Sequence, residues 1–239
     1  MNSSELKGFL TGLILGDACI DHGITNRPLR IKSINDDFIY QIRDELESCT
    51  NFKIIVREYE PSFRNGVHRK RYWELTIKRH PYFAKIYHHF YKDNGRRTAS
   101  GWAMNWLTAY GLANWYMSDG YVCLVGKTKD RIYNRRVEIC TDRYDLKTIK
   151  RMQYMLADKF DIYTSLVKRN HRYRLHIAVN SYETFIWLVK PYIVDSMQYK
   201  LYLGYDKQPK WMSDQLWEFQ ECLRSATTLP DYAEGYDIV

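Results

Sequence analysis

The sequence predicts an α+β fold made of two copies of one unit, each ordered as helix, two strands, helix, two strands and helix. Two observations lead to this prediction. An apolar segment closing on small residue, aspartate, small residue occurs twice, at residues 6–20 and 107–123. The segments after each copy then repeat the same order of helical and strand periodicities. A chain of 239 residues that is 45% hydrophobic can bury a core of this size.

Each copy of the apolar segment leads into a short strand and a helix. The strands are expected at 30–34 and 138–142, and the helix starts at 35–38 and 143–146. Apolar residues at helical spacing support the two helices; they are Phe38, Ile42 and Leu46 in the first, and Leu146, Ile149 and Leu156 in the second. Each helix therefore presents one apolar face to a core.

A pair of strands and a third helix complete each half. The β-rich pairs lie at 53–59 and 72–77, and at 164–168 and 172–178. The third helix of the first half is entered through His80-Pro81, with proline at the first helical position. In the second half, Asn180 followed by Glu183 predicts a capping box.

Alternation along the strands predicts where the basic residues point. In residues 172–177, Arg172, Arg174 and His176 share one face, while the residues between them are apolar. Arg30 and Lys32 flank Ile31 in the same way. Because helices must cover the apolar faces, both halves are expected to leave a basic sheet face open.

Composition favours a polyanionic partner and a reducing compartment. Residues 1–205 hold 33 bases and 21 acids, a net charge of +12, whereas residues 206–239 hold 3 bases and 7 acids, a net charge of −4. The longest apolar stretch, at 9–16, is too short to span a membrane. The five cysteines are scattered with no CxxC pair, so an intracellular, reducing location is expected.

The two aspartates are the strongest candidates for chemistry. Asp17 and Asp119 each follow an uncharged helical segment, where the partial negative charge of a helix C-terminus disfavours a carboxylate. Gly12 and Gly16 in one segment, and Asn114 and Ser118 in the other, are small enough for the two backbones to approach closely. Two carboxylates brought together need a metal ion or a shared proton, and the basic body favours metal-dependent attack on a phosphodiester.

These paired strings, LTGLILGDA and GLANWYMSDG, resemble the motifs of the single-chain LAGLIDADG homing endonucleases, nearest to the omega-intron type. The resemblance extends over about residues 6–205. It implies a pseudo-symmetric pair of αββαββα repeats, a central two-helix interface, and two antiparallel sheets forming a saddle on duplex DNA. It also implies Mg²⁺-dependent double-strand cleavage of a long asymmetric site with short 3′ overhangs, by a monomer in which Mn²⁺ substitutes for Mg²⁺.

Carried over by position, the family's metal-binding acids fall on Asp17 and Asp119, with the carbonyls of Gly16 and Ser118 as further ligands. The family's basic residue near the end of each half falls on Arg97 and Lys200, which lie 80 and 81 residues after the acids. Arginine cannot act as a base, so Lys200 is the stronger candidate of the two. The side chains expected to contact DNA from the sheets are Arg30, Lys32, Arg57, Arg71, Arg136, Lys168, Arg172, Arg174 and His176.

The expected organisation is an N-terminal repeat at 1–98, a C-terminal repeat at 99–205, and a tail at 206–239 with an amphipathic helix at 213–223. An RNA-binding intron maturase on the same fold is the alternative, with structured intron RNA as the partner. A histidine-metal nuclease is disfavoured because the adjacent His88 and His89 diverge on a helix. An intein is disfavoured because the sequence starts at Met1 and shows no splice-site residue.

Overall fold

The computed structural model describes residues 1–22, 27–64, 67–125 and 134–201. These belong to one compact unit, Met1–Tyr202. The predicted tail at 206–239 and its helix at 213–223 lie outside the described residues. The helices are α1 (Ser3–Leu15), α2 (Asp36–Cys49), α3 (Pro81–Phe90), α4 (Gly101–Trp106), α5 (Ala109–Asp119), α6 (Leu146–Phe160) and α7 (Tyr182–Val189). The strands are β1 (Cys19–Ile20), β2 (Leu29–Ser33), β3 (Ile54–Tyr59), β4 (Ser62–Arg64), β5 (Val67–Arg69), β6 (Tyr72–Ile77), β7 (Gly120–Val125), β8 (Asn134–Ile139), β9 (Thr164–Arg169) and β10 (Arg172–Ile177).

The predicted α+β class and the repeated element order are confirmed. The first half forms an antiparallel sheet in the order β1-β2-β6-β3, and the second half forms one in the equivalent order β7-β8-β10-β9. The predicted boundary between residues 98 and 99 falls between α3 and α4. A small ribbon of β4 and β5, which the sequence pattern did not indicate, extends from the hairpin of β3 and β6.

Each sheet buries one face beneath a helix, as the alternation predicts. In β2, Leu29 and Ile31 are buried, whereas Arg30 and Lys32 between and beyond them are exposed. Helix α2 packs on β2, β3 and β6, and α6 packs on β9 and β10. Amphipathic α2 and α6 therefore cover the apolar sides and leave the opposite sides of the sheets open.

The motif helices α1 and α5 form the centre of the fold. Helix α1 starts with a capping box, in which the Asn2 side chain accepts hydrogen bonds from the first turn and the Glu5 carboxylate accepts one from the Asn2 N–H. Thr108 caps α5 by accepting from the Gly111 N–H at 3.1 Å. Nearly every residue in the second half of α1, and most of α5, is buried, because both helices are enclosed by the two halves.

Two local predictions were wrong. Helix α7 starts at Tyr182 after a 3-10 turn, Val179–Ser181, and no side chain caps it, so the box of Asn180 and Glu183 does not form. The strand predicted at 138–142 lies earlier in the chain, at Asn134–Ile139. No helix in the described part of the chain is both long and apolar enough to cross a membrane.

Candidate active site and nucleic-acid interface

The two motif helices touch through their backbones. A Cβ atom on Gly12 would lie 1.8 Å from the Gly111 carbonyl oxygen, and one on Gly16 would lie 2.4 Å from the Ser118 Cβ. The predicted close approach of the two backbones is therefore confirmed, with Gly16 facing Ser118. Gly12 instead faces Gly111, and the buried Asn114 takes no part in the closest contact. This approach brings the helix ends that carry Asp17 and Asp119 together.

The two acids interact electrostatically. Asp119 is the last residue of α5, and Asp17 follows the end of α1 by two residues. Burial, and secondly the negative charge of Asp17, raise the pKa of Asp119 to about 7. Arg143, from the loop between β8 and α6, pairs with Asp17 at 3.1 Å and lowers the cost of ionising Asp119. Sequence reasoning missed Arg143, because it lies in the other half, 126 residues along the chain.

Arg97 binds the backbone that carries Asp17. Its guanidinium donates to the carbonyl oxygens of Ile14 at 2.5 Å, Gly16 at 3.1 Å and Ala18 at 2.7 Å. The partial negative charge at the end of α1 is thus neutralised by a partly buried cation. The hydroxyl of the partly buried Tyr144 donates to the neighbouring Leu15 carbonyl at 2.8 Å. Arg97 therefore holds the first motif's turn in place, and the Gly16 carbonyl, a predicted metal ligand, already accepts one hydrogen bond.

Lys200 has the equivalent place beside the second motif. It is 9% exposed, and its Nζ donates to the Met117 carbonyl at 2.5 Å. Its own carbonyl accepts from the Tyr116 hydroxyl at 2.7 Å. Burial lowers the pKa of Lys200 to about 8, although Asp17 and Asp119 oppose the shift. Lys200 is therefore closer than an ordinary lysine to giving up a proton near neutral pH.

The donor set at this centre fits magnesium. Mg²⁺ is bound in proteins by one or two carboxylates and keeps waters or substrate phosphates in its remaining positions. Asp17 and Asp119 supply two such carboxylates, and a cation between them would relieve the repulsion that raises the pKa of Asp119. Within the described ranges, no cluster of three or more His, Cys, Asp or Glu residues could hold a metal.

A cleft of about 610 Å³ connects this centre to the first sheet. Asp17, Ser118 and Lys200 line its inner end. Lys32 on β2 and Lys70, beside the β4–β5 ribbon, line it further out. A phosphate in this cleft would lie near Asp17 and near the lysines Lys32, Lys70 and Lys200.

The open face of the first sheet carries three of the four basic residues predicted for the first half. Strand register places Lys32 and Arg57 on either side of Glu74, and Arg30 beside Thr76 on the same face. Lys32 pairs with Glu74 at 3.0 Å, and Arg30 pairs with Asp21. About half of each basic side chain is exposed, so a phosphate can approach Arg30 and Lys32 from the solvent side.

Arg71 lies just before β6 and is held by two acids. Its guanidinium pairs with Glu58 at 3.3 Å and with Glu60 at 2.9 Å, and half of its side chain is exposed. Of the predicted bases of the first half, Arg71 thus has the most acidic surroundings in the described structure.

The open face of the second sheet is an ordered polar network. Arg174 pairs with Asp142 at 2.9 Å and donates to the Tyr121 hydroxyl at 2.7 Å. Tyr121 in turn donates to Glu138, which is fully buried. Arg136 shares this face with Glu138, two residues along the same strand.

Two further predicted residues lie at the margins of this network. Arg172 is exposed and donates to the Asp142 carbonyl. The His176 ring is hydrogen-bonded to Ser165 at 3.0 Å, and burial lowers its pKa. The basic residues of the second sheet are thus oriented by acids and hydroxyls.

The register of the last hairpin corrects one predicted contact. Lys168 pairs with Tyr173, so it projects on the side of Tyr173 and Leu175, away from Arg172 and Arg174. Arg169, which the sequence interpretation omitted, lies on the open face and pairs with Glu138 at 3.2 Å. The sequence analysis ended this strand at residue 168, whereas β9 ends at Arg169. An end at Arg169 would have indicated that Arg169 shares the face of Arg172.

Comparison with known proteins gives a family match. The model of the LAGLIDADG DNA endonuclease family matches residues 7–185, which is more than half of the chain. The solved structure of the homing endonuclease I-WcaI bound to its DNA recognition sequence is similar with a TM-score of 0.68 and 22% identity. That similarity covers 85% of this chain and 88% of the other, and it shows a shared fold.

Three curated relatives share part of the sequence. "Probable intron-encoded endonuclease 1" of Wickerhamomyces canadensis is 26% identical over 129 residues, 54% of each protein. "Probable intron-encoded DNA endonuclease 3" of Mycosarcoma maydis is 29% identical over 136 residues, 55% of this chain and 93% of the relative. "Cytochrome b mRNA maturase bI2" of Saccharomyces cerevisiae is 30% identical over 100 residues, 41% of this chain and 21% of the relative. The match thus spans about half the length of the first relative and about a fifth of the third.

Proposed function

Because the chain belongs to the LAGLIDADG DNA endonuclease family, we propose that it is a site-specific homing endonuclease. It would make Mg²⁺-dependent double-strand breaks with short 3′ overhangs in a long, asymmetric duplex site, acting as a monomer. The observation that carries this proposal is the pair of acids, Asp17 and Asp119, at the ends of two helices in backbone contact. At each helix end a basic side chain, the partly buried Arg97 or the buried Lys200, also donates to carbonyl oxygens.

The residues of the centre would have different roles in phosphodiester hydrolysis. Asp17 and Asp119, with the Ser118 carbonyl, would hold Mg²⁺. When bound, this ion lowers the pKa of a water molecule and polarises a phosphoryl oxygen. Lys200, with its lowered pKa, is placed to exchange a proton or to stabilise charge on the phosphate. Arg97 stays protonated and fixes the turn that carries Asp17.

The open sheet faces would bind the DNA. Lys32 and Lys70 lead from the first sheet into the cleft and would contact the backbone near a scissile phosphate. Arg169 and Arg174, oriented by Glu138 and Asp142, are suited to bidentate contacts with guanine. Ion pairs with protein acids keep these side chains ordered before DNA arrives. Since phosphate contacts release counterions, binding should weaken steeply as salt rises.

A cleavage selection on a randomised duplex library tests this proposal. The wild type with Mg²⁺ should cut a subset of sequences, and sequencing of the ends should give a short 3′ stagger. Asp17→Asn with Asp119→Asn should abolish cutting while leaving DNA affinity within about threefold, because the sheets are unchanged. Cutting that persists in this double variant, or in EDTA, would contradict the assignment of the site.

An RNA-binding intron maturase is the second candidate. The partial similarity to the cytochrome b mRNA maturase favours it, and the same basic faces could bind a structured intron. The intact acidic pair favours the nuclease. Tight binding of an intron RNA by a wild-type protein that cuts no sequence of the library would favour the maturase.

A further inference from the structure

The sequence repeat places an aspartate near the start of each sheet-covering helix, Asp37 in α2 and Asp145 before α6. Both reach into the opposite half of the molecule. We propose that these aspartates are positioning residues. Each holds the segment that carries the basic active-site residue of the other half, Lys200 for Asp37 and Arg97 for Asp145. This inference rests on the proposed function, because it concerns the bases of the proposed catalytic centre.

Asp37 holds the segment that ends at Lys200. Its Oδ2 accepts from the Ser196 N–H at 2.9 Å, and its Oδ1 accepts from the Ser196 hydroxyl at 2.6 Å. Ser196 lies in the 3-10 turn Asp195–Lys200, four residues before the base itself. One carboxylate therefore binds both the backbone and the side chain of the short segment that orients Lys200.

The rest of α2 reinforces this contact along one face. Gln41, one turn beyond Asp37, donates to the Tyr192 carbonyl at 3.4 Å. Glu45, another turn along, accepts from the Tyr110 hydroxyl at 3.1 Å. The Tyr110 and Tyr192 rings stack with centroids 4.5 Å apart. Positions i, i+4 and i+8 of a helix share a face, so a single stripe of α2 is dedicated to the opposite half.

Helix α6 makes comparable contacts with residues on both sides of Arg97. Asp145 accepts from Lys92 Nζ at 2.6 Å, five residues before Arg97. The hydroxyls of Thr148 and Thr98 are 3.2 Å apart. Arg151, one turn further, donates to the Ala99 carbonyl. Asp145 and Thr148 thus reach into the first half, as the stripe on α2 reaches into the second, and Arg151 extends the contact to the first residue of the second half.

The repetition separates this arrangement from incidental packing. The two aspartates occupy equivalent places in the repeat, and their targets precede equivalent bases. The bonded groups differ, since Asp37 binds a serine and Asp145 binds a lysine. The two halves therefore share the position of the contact and not its chemistry. Each base is therefore fixed from both sides: by the motif helix it binds, and by the sheet-covering helix of the other half.

Asp37→Ala tests the inference, with Asp36→Ala as its matched control. Both substitutions remove an acid from the first turn of α2, so both lose the same favourable charge at the helix start. Only Asp37 is bonded to Ser196. Ser196→Ala, which removes one of the two bonds and leaves α2 intact, is a milder second variant that covers a failure of Asp37→Ala to fold.

The first measurement needs no DNA. Lys200 is buried, so acetylation by sulfosuccinimidyl acetate, followed by mass spectrometry, reports how often its segment opens. Asp37→Ala should speed acetylation of Lys200 by about tenfold, since hydrogen bonds to a charged group are lost, and Ser196→Ala should have a smaller effect. Asp36→Ala should match the wild type. Equal rates in the two aspartate variants would overturn the inference.

The second measurement is cleavage of each strand of a duplex labelled at both ends. Misplacement of one base by about 1 Å can cost about a hundredfold in rate, so Asp37→Ala should slow one strand by that factor and accumulate nicked DNA. Lys92→Ala should slow the opposite strand. Equal slowing of both strands would overturn the inference. A wild type that cuts nothing would refute the proposed function, and the acetylation result would still decide whether Asp37 holds the Lys200 segment.

Discussion

The contact between Gly12 and Gly111 makes a sharp prediction for Gly12→Ala. The new Cβ would lie 1.8 Å from a backbone carbonyl oxygen, whereas Cβ atoms in proteins essentially never approach other atoms within 3.0 Å. The helices must therefore separate by at least 1.2 Å at this level. No rotamer change can relieve the clash, because the backbone fixes the position of the Cβ and its partner is a main-chain oxygen.

The magnitude follows from two opposing effects. Alanine favours a helix interior over glycine by about 1 kcal/mol, while overpacking a tight core costs about 1–3 kcal/mol and occasionally more. The central interface is rigid backbone, so the upper part of that range applies. We expect a net loss of about 2 kcal/mol in the free energy of unfolding, together with a drop in cleavage of about a hundredfold because Asp17 and Asp119 move apart.

Urea unfolding followed by circular dichroism measures the stability change. Gly101→Ala is the matched control, because a Cβ there meets no atom within 4 Å and the position begins a helix. It should be neutral or stabilising by up to about 1 kcal/mol. An unchanged urea midpoint in Gly12→Ala would show that the helices are not in backbone contact, and the argument for the paired acids would lose its basis.

Three further predictions concern charges around the centre. In EDTA, Asp119→Asn should unfold at a higher denaturant concentration than the wild type at pH 8, but not at pH 4. Burial raises the pKa of Asp119 to about 7. The stability of the wild type therefore falls as the pH rises through that value. Arg143→Gln should change the free energy of unfolding by less than about 1 kcal/mol, since the pair with Asp17 is exposed, but should tighten Ca²⁺ binding measured by calorimetry, because a competing cation is removed. Glu138→Gln should destabilise the protein by about 1–3 kcal/mol in urea unfolding, because the buried partner of Tyr121 and Arg169 loses its charge; an unchanged midpoint would contradict the network.

The faces of the sheets were predictable because strand periodicity is strict. In 172–177 an apolar residue follows each polar one, and only one assignment of faces buries Leu175 and Ile177. The position of Lys168 was not predicted correctly, because its face depends on the turn. Asn170 and His171 both have positive φ, 43° and 68°, as in a two-residue hairpin turn. Recognising that turn would have placed Arg169 opposite Arg172 and Lys168 on the covered side.

The acids of the centre were predictable and their cationic neighbours were only partly so. Asp17 and Asp119 stand out because the motif repeats, and Arg97 and Lys200 follow from their equal spacing. Arg143 gave no such signal, because the equivalent position of the first half is Asn35, a residue of different chemistry. A long-range pair between the halves depends on tertiary packing, which periodicity does not encode.

These contacts imply that neither half can form a working centre alone. Asp17 of the first half is paired with Arg143 of the second, and the base beside the second motif, Lys200, lies in a segment held by Asp37 of the first. The glycine contact between α1 and α5 adds a third dependence, since the acids approach only when the two helices do. Each half of the duplicated repeat therefore positions active-site residues of the other half. Both strands would then be cut only when the whole assembly is correctly packed.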